Sequence, residues 1–148
     1  MTKNPETPTT LAQAAIKNEK PSGQAPSTAV RTPFAVAHGP AVLHGSQLGR
    51  PPGERPRLLS LHGGGQTDHR RMDYLLEPLA AAGWASAAFD HIGHGTTGGS
   101  LLGSSLQDRL AQARSVIGAL GLQRPGALLA TSMGGHIACR LLDELQPR

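Results

Sequence analysis

The sequence has almost no cysteine, few aromatic side chains and no long apolar run. Cys139 is the single cysteine among 148 residues, which excludes an intramolecular disulfide framework and a zinc site built from several cysteines. Aromatic residues make up only 3% of the chain, so aliphatic side chains and backbone must line any pocket. No segment approaches the roughly 18 apolar residues of a membrane-spanning helix. No apolar stretch of the signal-peptide type follows the first residues, so we expect a cytoplasmic protein.

Acidic residues are outnumbered only slightly, and the basic ones are dispersed. Lys and Arg total 14 against 10 for Asp and Glu, which gives a formal net charge of +4. Nucleic-acid-binding proteins usually concentrate such charge in one stripe, with aromatic residues interleaved where single strands bind. Only Arg70 and Arg71 are adjacent here, which favours a solvated basic surface and no nucleic-acid partner. The sequence contains neither a P-loop nor a dinucleotide-binding fingerprint, and we expect no cofactor.

The chain divides into a polar N-terminal segment and one domain. Residues 1–30 are rich in Thr, Ser, Pro, Lys and Gln. Such a segment buries too little apolar surface to offset its ordering entropy, so we predict a disordered tail. Residues 31–148 form the predicted domain, which begins with an antiparallel hairpin between Phe34 and Leu48.

Three short apolar runs, each followed by a helical pattern, make up the rest of the domain. The strands are predicted at 57–61, 85–89 and 126–130, and the helices at 72–82, 105–120 and 133–145. This alternation is typical of an α/β fold in which helices cover a mostly parallel sheet. Because the crossovers are right-handed, the loops 62–66, 90–100 and 130–135 all leave the carboxyl edge of the sheet, where such folds bind ligands.

The second of these helices has clear start and stop signals. Ser105 followed by Asp108 has the spacing of a capping box, and Gly121 suits the C-terminal cap. Apolar residues recur with helical period and predict its buried face: Leu106, Leu110, Ala113, Ile117 and Leu120. On the last helix we expect Cys139 to be a small buried side chain.

Ser132 lies where the third strand passes directly into the last helix, in Ala130-Thr-Ser-Met-Gly-Gly135. At so sharp a turn the hydroxyl projects above the sheet and faces the unpaired N–H groups of the helix. An oxyanion formed on a carbonyl that Ser132 attacks would meet the N–H of Met133. The alternative is that Ser132 is only the N-cap of the helix, a position that serine often takes.

A glycine-rich loop, His62-Gly-Gly-Gly65, follows the first strand of the parallel set. Acyl transfer needs two N–H donors at the oxyanion, each contributing about 3–4 kcal/mol to the transition state. Met133 supplies one donor. Gly64 is the candidate for the second, because glycine-rich backbone can direct its N–H groups at a neighbouring site.

Together these motifs resemble the N-terminal half of the α/β-hydrolase superfamily. The resemblance rests on Leu59-Ser-Leu-His-Gly-Gly-Gly65, Phe89-Asp-His-Ile-Gly-His-Gly95 and Ala130-Thr-Ser-Met-Gly-Gly135. It implies that Ser132 is the nucleophile, that the N–H groups of Gly64 and Met133 form the oxyanion hole, and that His62 stabilises its loop. The implied activity is that of a serine hydrolase, esterase-like or peptidase-like, which acts on a small-molecule ester or amide through an acyl-enzyme.

The chain departs from this superfamily in length. The triad of such enzymes runs in the order serine, acid, histidine, yet only 16 residues follow Ser132. We therefore expect a hydrolase truncated after the helix that follows the serine, without its acid and base. A relay from Ser132 through His94 to Asp90 is an upstream alternative. A metal site is another, although its candidate ligands have no standard spacing: His62, His69, His91, His94 and Asp90.

Two functions from other classes remain open. The chain is then either a catalytically silent fragment or binding module with the hydrolase fold, or an acyltransferase that uses the same serine. A sheet cut after its last predicted strand exposes one long edge, and such edges favour association. We therefore expect the chain to self-associate through the exposed edge.

Overall fold

The computed structural model describes residues 29–49, 55–122 and 124–145. The predicted tail, residues 1–30, lies outside the described residues except for its last two, and Val30 is the first residue of a strand. The disorder of the tail therefore stays a prediction.

Five strands and three α-helices make up the described part of the chain. They are β1 (Val30–His38), β2 (Ala41–Gly49), β3 (Leu58–Leu61), α1 (Asp73–Ala81), β4 (Ser86–Phe89), α2 (Leu106–Leu120), β5 (Ala127–Ala130) and α3 (Met133–Leu145). A short 3₁₀ turn at His69–Met72 precedes α1. Each strand and helix that the sequence predicts is present, with its ends shifted by a few residues at most.

The five strands form one sheet with the order β1-β2-β4-β3-β5. β3 pairs in parallel with β4 on one side and with β5 on the other. The hairpin strands β1 and β2 are antiparallel, and β2 is also antiparallel to β4. The α/β fold class and the side-by-side arrangement of the three parallel strands are therefore confirmed, and the hairpin extends the sheet at one edge.

Helices cover both faces of the sheet, because alternate side chains of each strand point to opposite sides. On one face, β3 and β4 contribute Leu59, Leu61, Ala87 and Phe89 to a core that α2 and α3 complete. On the other face, Leu58 and Ala88 pack with Met72, Leu76 and Ala80, which belong to the 3₁₀ turn and α1. Each fully buried Leu or Phe side chain stabilises the fold by about 1.5–3 kcal/mol.

The start of α2 has the predicted capping box. The Ser105 hydroxyl accepts a hydrogen bond from the Asp108 N–H at 3.1 Å, and the Asp108 carboxylate accepts one from the Ser105 N–H at 2.8 Å. Gly121 ends the helix in the left-handed conformation, with φ +67°. The predicted buried face is wrong at Leu106, which is 52% exposed, because the first turn of α2 meets α3 across an open pocket.

β1 and β5 form the two edges of the described sheet. All four residues of β5 are only half-buried. Within the described residues, every helix is too short or too polar to cross a membrane.

Candidate active site

Ser132 lies between β5 and α3, with only Thr131 beside it in the connection. Its φ is +50°, and it is the one non-glycine residue with positive φ in the described part of the chain. This conformation costs an L-residue roughly 1–2 kcal/mol. The residue is exposed. The backbone therefore holds the Ser132 side chain at the surface in a conformation that serine does not prefer.

Gly134 allows the first turn of α3 to lie against the end of β3. A Cβ at this position would overlap the Leu61 carbonyl oxygen and would lie 2.8 Å from the His62 carbonyl oxygen. A Cβ on Gly135, one residue later, would lie in open space with no contact within 4 Å. Only glycine therefore fits at position 134, and its close approach keeps Ser132 beside the loop that follows β3.

The glycine loop after β3 contacts the turn at Ser132. A Cβ on Gly63 would lie 3.4 Å from the Ser132 Cβ, and one on Gly64 would lie 3.9 Å from the Met133 Cβ. Neither the Gly64 N–H nor the Met133 N–H donates a backbone hydrogen bond to another described residue. The structure therefore brings Gly63 and Gly64 against Ser132 and Met133, and neither of the two N–H groups is paired with a described backbone carbonyl.

His62 fixes the orientation of the Gly63–Gly64 peptide. The His62 Nδ1 lies 2.6 Å from the Gly63 carbonyl oxygen, and the His62 Nε2 accepts the His91 N–H at 3.3 Å. Because a carbonyl only accepts, Nδ1 carries the proton. All described peptides are trans, so the Gly64 N–H points opposite to the Gly63 carbonyl. The Gly64 N–H is therefore directed away from the His62 ring.

Two further buried histidines lie against His62. Its ring centroid is 5.3 Å from that of His91 and 4.7 Å from that of His94. Burial lowers the pKa of all three imidazoles, and the pKa of His91 falls to about 3. The rings are consequently neutral at neutral pH, so they act as hydrogen-bonding groups of the loops.

The relay from Ser132 through His94 to Asp90 is not formed. His94 Nδ1 faces a guanidinium nitrogen of Arg109 at 3.5 Å, and His94 Nε2 is buried without a hydrogen-bond partner among the described residues. Neither ring nitrogen of His94 therefore contacts the Ser132 hydroxyl. His62 and His91 do not contact it either, because their bonded nitrogens have other partners and the His91 Nε2 has none in the described chain.

Asp90 joins the loops that carry His69 and Thr96, and it makes no hydrogen bond to His94. Its buried carboxylate accepts the His69 N–H at 2.6 Å and the Thr96 N–H at 2.9 Å, and the His69 Nδ1 lies 3.0 Å away. Burial opposes ionisation of Asp90, but the hydrogen bonds from His69 and Thr96 outweigh it and lower the pKa to about 2. The carboxylate is therefore ionised and fully engaged within the protein.

The structure also contradicts the expected burial of Cys139 and the alternative of a metal site. Cys139 is exposed, contrary to expectation, because it lies two residues after the buried Ile137 and so faces away from the sheet. Within residues 29–49, 55–122 and 124–145, no group of three or more His, Cys, Asp or Glu side chains is arranged to hold a metal ion.

Gln112 is a site residue that sequence reasoning missed. Its Oε1 accepts the Ile92 N–H at 3.0 Å and lies 3.1 Å from the His91 Nδ1. Arg109, Gln112 and Ala113 share the buried side of α2. The sequence signal that could identify Gln112 is its position on an otherwise apolar face of the helix, since a buried polar side chain usually has a hydrogen-bond partner.

The fold is that of the α/β-hydrolase superfamily. More narrowly, residues 53–148 match the family described as serine aminopeptidase, S33, and the chain belongs to that family.

Several solved structures share this fold. The thioesterase domain from the curacin biosynthetic pathway is 27% identical, with a TM-score of 0.67 over 76% of this chain and 41% of its own. A proline iminopeptidase-related protein from Thermus thermophilus is 26% identical, with a TM-score of 0.65 over 79% and 41%. A loop variant of haloalkane dehalogenase DbeA from Bradyrhizobium elkanii, 24% identical with a TM-score of 0.66 over 78% and 37%, shows the fold alone.

The chain spans less than half the length of each of these relatives. A comparison with curated protein sequences finds no match.

Proposed function

We propose that Ser132 is the nucleophile of a serine hydrolase that attacks an ester or amide carbonyl. The observation that carries this proposal is the φ of +50° at an exposed serine placed directly between a strand and a helix. A serine that only caps a helix has extended backbone, as Ser105 does with φ −91°. Strain of this kind persists where the surrounding structure enforces it, and it is concentrated at functional sites.

The proposed oxyanion hole consists of the Gly64 and Met133 N–H groups. Attack of the Ser132 Oγ on the carbonyl carbon places negative charge on the carbonyl oxygen, beside these two unpaired donors. The N-terminal end of α3 adds its positive partial charge. Collapse of the tetrahedral intermediate expels an alcohol or amine and leaves an acyl-serine, which water then hydrolyses.

A general base must accept the Ser132 proton, and the buried histidines do not reach it. His62, His91 and His94 are oriented by other partners or lie apart from the hydroxyl. His69 faces Ser46, and the exposed His136 on the first turn of α3 makes no side-chain hydrogen bond to Ser132. We therefore place the base and its acid outside the described residues, in keeping with the serine–acid–histidine order of the fold. An unassisted hydroxyl is a poor nucleophile, so this chain by itself is expected to turn over esters very slowly or not at all.

Two of the three relatives favour an acyl compound as substrate. They are named as a thioesterase domain and as a proline iminopeptidase-related protein, and thioesterases and iminopeptidases both cleave a bond at a carbonyl carbon. An acyltransferase would use the same acyl-serine but pass the acyl group to an acceptor other than water. A binding module would form no acyl-serine.

The test measures acylation of Ser132, because acylation does not require completed turnover. The purified chain is incubated with p-nitrophenyl acetate, with and without imidazole as an added proton acceptor, and acetyl-serine is located by peptide mass spectrometry. Imidazole also forms acetylimidazole from this ester, which would acetylate the exposed Ser105 and Ser132 alike, so we expect imidazole-dependent acetylation of Ser132 well above that of Ser105. Ser105→Ala is the matched control, since it removes another serine at a helix start.

Three outcomes discriminate among the alternatives. Absence of acetyl-Ser132 in the presence of imidazole contradicts the nucleophile assignment and favours the binding module. Rapid turnover that is lost in Ser132→Ala shows that a base is already present in this chain, contrary to our expectation. Transfer of the acetyl group to an added amine in preference to water favours the acyltransferase.

A cytoplasmic location and self-association through the free edge of β5 stay predictions.

A further inference from the structure

A cavity lies at the end of the sheet opposite Ser132, beside the amino ends of β3 and β5. Its volume is about 520 Å³. Three arginines line it, Arg55, Arg57 and Arg124, together with the apolar side chains of Pro56, Leu122 and Pro125. No acidic side chain is among the described residues that line it. The cavity therefore combines a threefold positive charge with apolar walls.

Three other arginines in the fold have carboxylate partners, and the grouping of these three around one cavity sets them apart from the remaining unpaired arginines. Arg31, Arg70 and Arg114 each form an ion pair with a carboxylate. No carboxylate among the described residues forms such a pair with the three arginines of the cavity. Like charges gathered around one cavity repel one another, and a bound anion reverses that repulsion.

The three arginines are exposed, and neighbouring residues restrict the backbone of two of them and the guanidinium of the third. Arg55 and Arg124 each precede a buried proline, which restricts their backbone to extended conformations. The Arg57 guanidinium lies 5.2 Å from the centre of the Trp84 ring, within the range of a cation–π contact. The Arg57 main chain is held as well, since its N–H donates to Ala85 and its carbonyl accepts from Gly126.

The end of α2 explains part of this charge. The Arg55 guanidinium lies near Gly121, at 3.7 Å from where a Cβ would be, and cations are favourable beside the last carbonyls of a helix. This contact accounts for the position of Arg55, whereas the Arg57 guanidinium lies over the Trp84 ring.

We propose that this cavity binds a small molecule that carries a phosphate group. The planar guanidinium fork matches phosphate oxygens in bidentate geometry, and two or three such forks recognise one phosphate. The volume exceeds that of phosphate alone, and Pro56, Leu122 and Pro125 offer an apolar surface to the rest of the ligand. This site is separate from Ser132 and does not depend on the proposed hydrolase function.

Trp84 supplies the signal for the test, because it is the single tryptophan of the chain and lies under Arg57. Pyrophosphate is titrated into the full chain, and binding is followed by Trp84 fluorescence and by calorimetry. We expect saturable binding that Arg57→Gln and Arg124→Gln each weaken about tenfold or more. Arg124→Lys keeps the charge but loses the fork, and its affinity is expected to be intermediate.

Matched controls separate a site from general charge attraction. Arg140→Gln removes one exposed cation from α3 and is expected to leave pyrophosphate binding unchanged. Equal weakening by Arg140→Gln, or no saturable binding in the wild type, overturns the proposal. Ser132→Ala is expected to bind pyrophosphate normally, so failure of the hydrolase proposal is distinguishable from failure of this one.

Glu54 precedes Arg55 in the sequence and lies outside the described residues, so Glu54→Gln is included. Binding that appears only in Glu54→Gln would show that the chain's own carboxylate neutralises the arginines, which also overturns the proposal. Circular dichroism confirms that each variant is folded. In a measurement on the wild type, which needs no variant, we expect binding of pyrophosphate to stay saturable when sodium chloride is added, and loss of all binding at moderate salt would overturn the proposal.

Discussion

A serine precedes two helices of this fold, and the two positions differ in backbone and in partners. Ser105 before α2 has extended backbone, φ −91° and ψ 168°, and its hydroxyl accepts the Asp108 N–H. Ser132 before α3 has φ +50°, and the Met133 N–H next to it donates to no described backbone carbonyl. The Ser105 hydroxyl pairs with an N–H group at the start of its helix, whereas the Met133 N–H after Ser132 stays free to bind a ligand. Backbone conformation therefore distinguishes a helix cap from a candidate nucleophile, although both residues are serine.

The cause of the difference lies in how closely each helix approaches the sheet. α2 begins after a long loop, and its first turn is exposed at Leu106. α3 begins within two residues of β5, and Gly134 places its first turn against the Leu61 carbonyl. The long loop therefore allows Ser105 the extended backbone of an ordinary N-cap, whereas the short connection forces Ser132 into the left-handed backbone conformation.

The largest expected effect is at Gly134. Gly134→Ala places a methyl group on the backbone of β3, and we expect it to lower the free energy of unfolding by about 1–3 kcal/mol. Gly135→Ala is the matched control. It meets open space within the same helix and is expected to raise the free energy of unfolding by about 0.5–1 kcal/mol. Urea denaturation followed by circular dichroism measures both, and equal effects of the two variants would contradict the close approach.

The next effect concerns the two serines themselves. Ser105→Ala removes the capping hydroxyl and is expected to lower the free energy of unfolding by about 1 kcal/mol. Ser132→Ala removes no hydrogen bond within the described chain, so we expect a change of less than about 0.5 kcal/mol. Thermal and urea unfolding compare the two. A loss at Ser132→Ala as large as at Ser105→Ala would favour the N-cap interpretation of Ser132.

A smaller effect of opposite sign is expected when glycine replaces the strained serine. Ser132→Gly relieves the left-handed strain and is expected to raise the free energy of unfolding by up to about 1 kcal/mol, reduced by the entropy of the unfolded glycine. Ser105→Gly has no strain to relieve and is expected to be slightly destabilising. Urea denaturation of the pair tests the difference, and a Ser132→Gly variant destabilised as much as Ser105→Gly would show that no strain is stored at Ser132.

The smallest effect is local and depends on pH. Hydrogen bonds from the Ser105 N–H, and then from its hydroxyl, lower the pKa of Asp108 below the ordinary 3.8. The stabilisation of the start of α2 is therefore complete above that value and is lost as pH falls below it. In the wild type, the amide exchange protection of the residues at the start of α2 should be lower at pH 3 than at pH 6. Asp108→Asn should remove this pH dependence, and an equal fall at the start of α3, which has no acidic residue in its first turn, would contradict the comparison.

Local patterns are sufficient to predict the order of strands and helices and the turn at Ser132. The capping box at Ser105 and the small residue at Gly134 act within a few positions of the chain, so their consequences can be inferred from spacing. The partners of Asp90 could not be inferred in this way, since His69 and Thr96 come from different loops. The exposure of Cys139 and Leu106 depends on which elements cover each helix, and no short pattern carries that information.

The central position of β3 also has a kinetic consequence. The β1–β2 hairpin closes over a two-residue turn, whereas the pairing of Leu58 with Ala127 joins β3 to β5 across more than half of the described chain. Pairings between distant segments form slowly, because the entropy of closing a long loop is lost before the contacts compensate for it. Gly64 and Met133 follow these two strands and meet only once the pairing exists. We therefore expect the hairpin to form early in folding, and the surroundings of Ser132 to assemble only in its last steps.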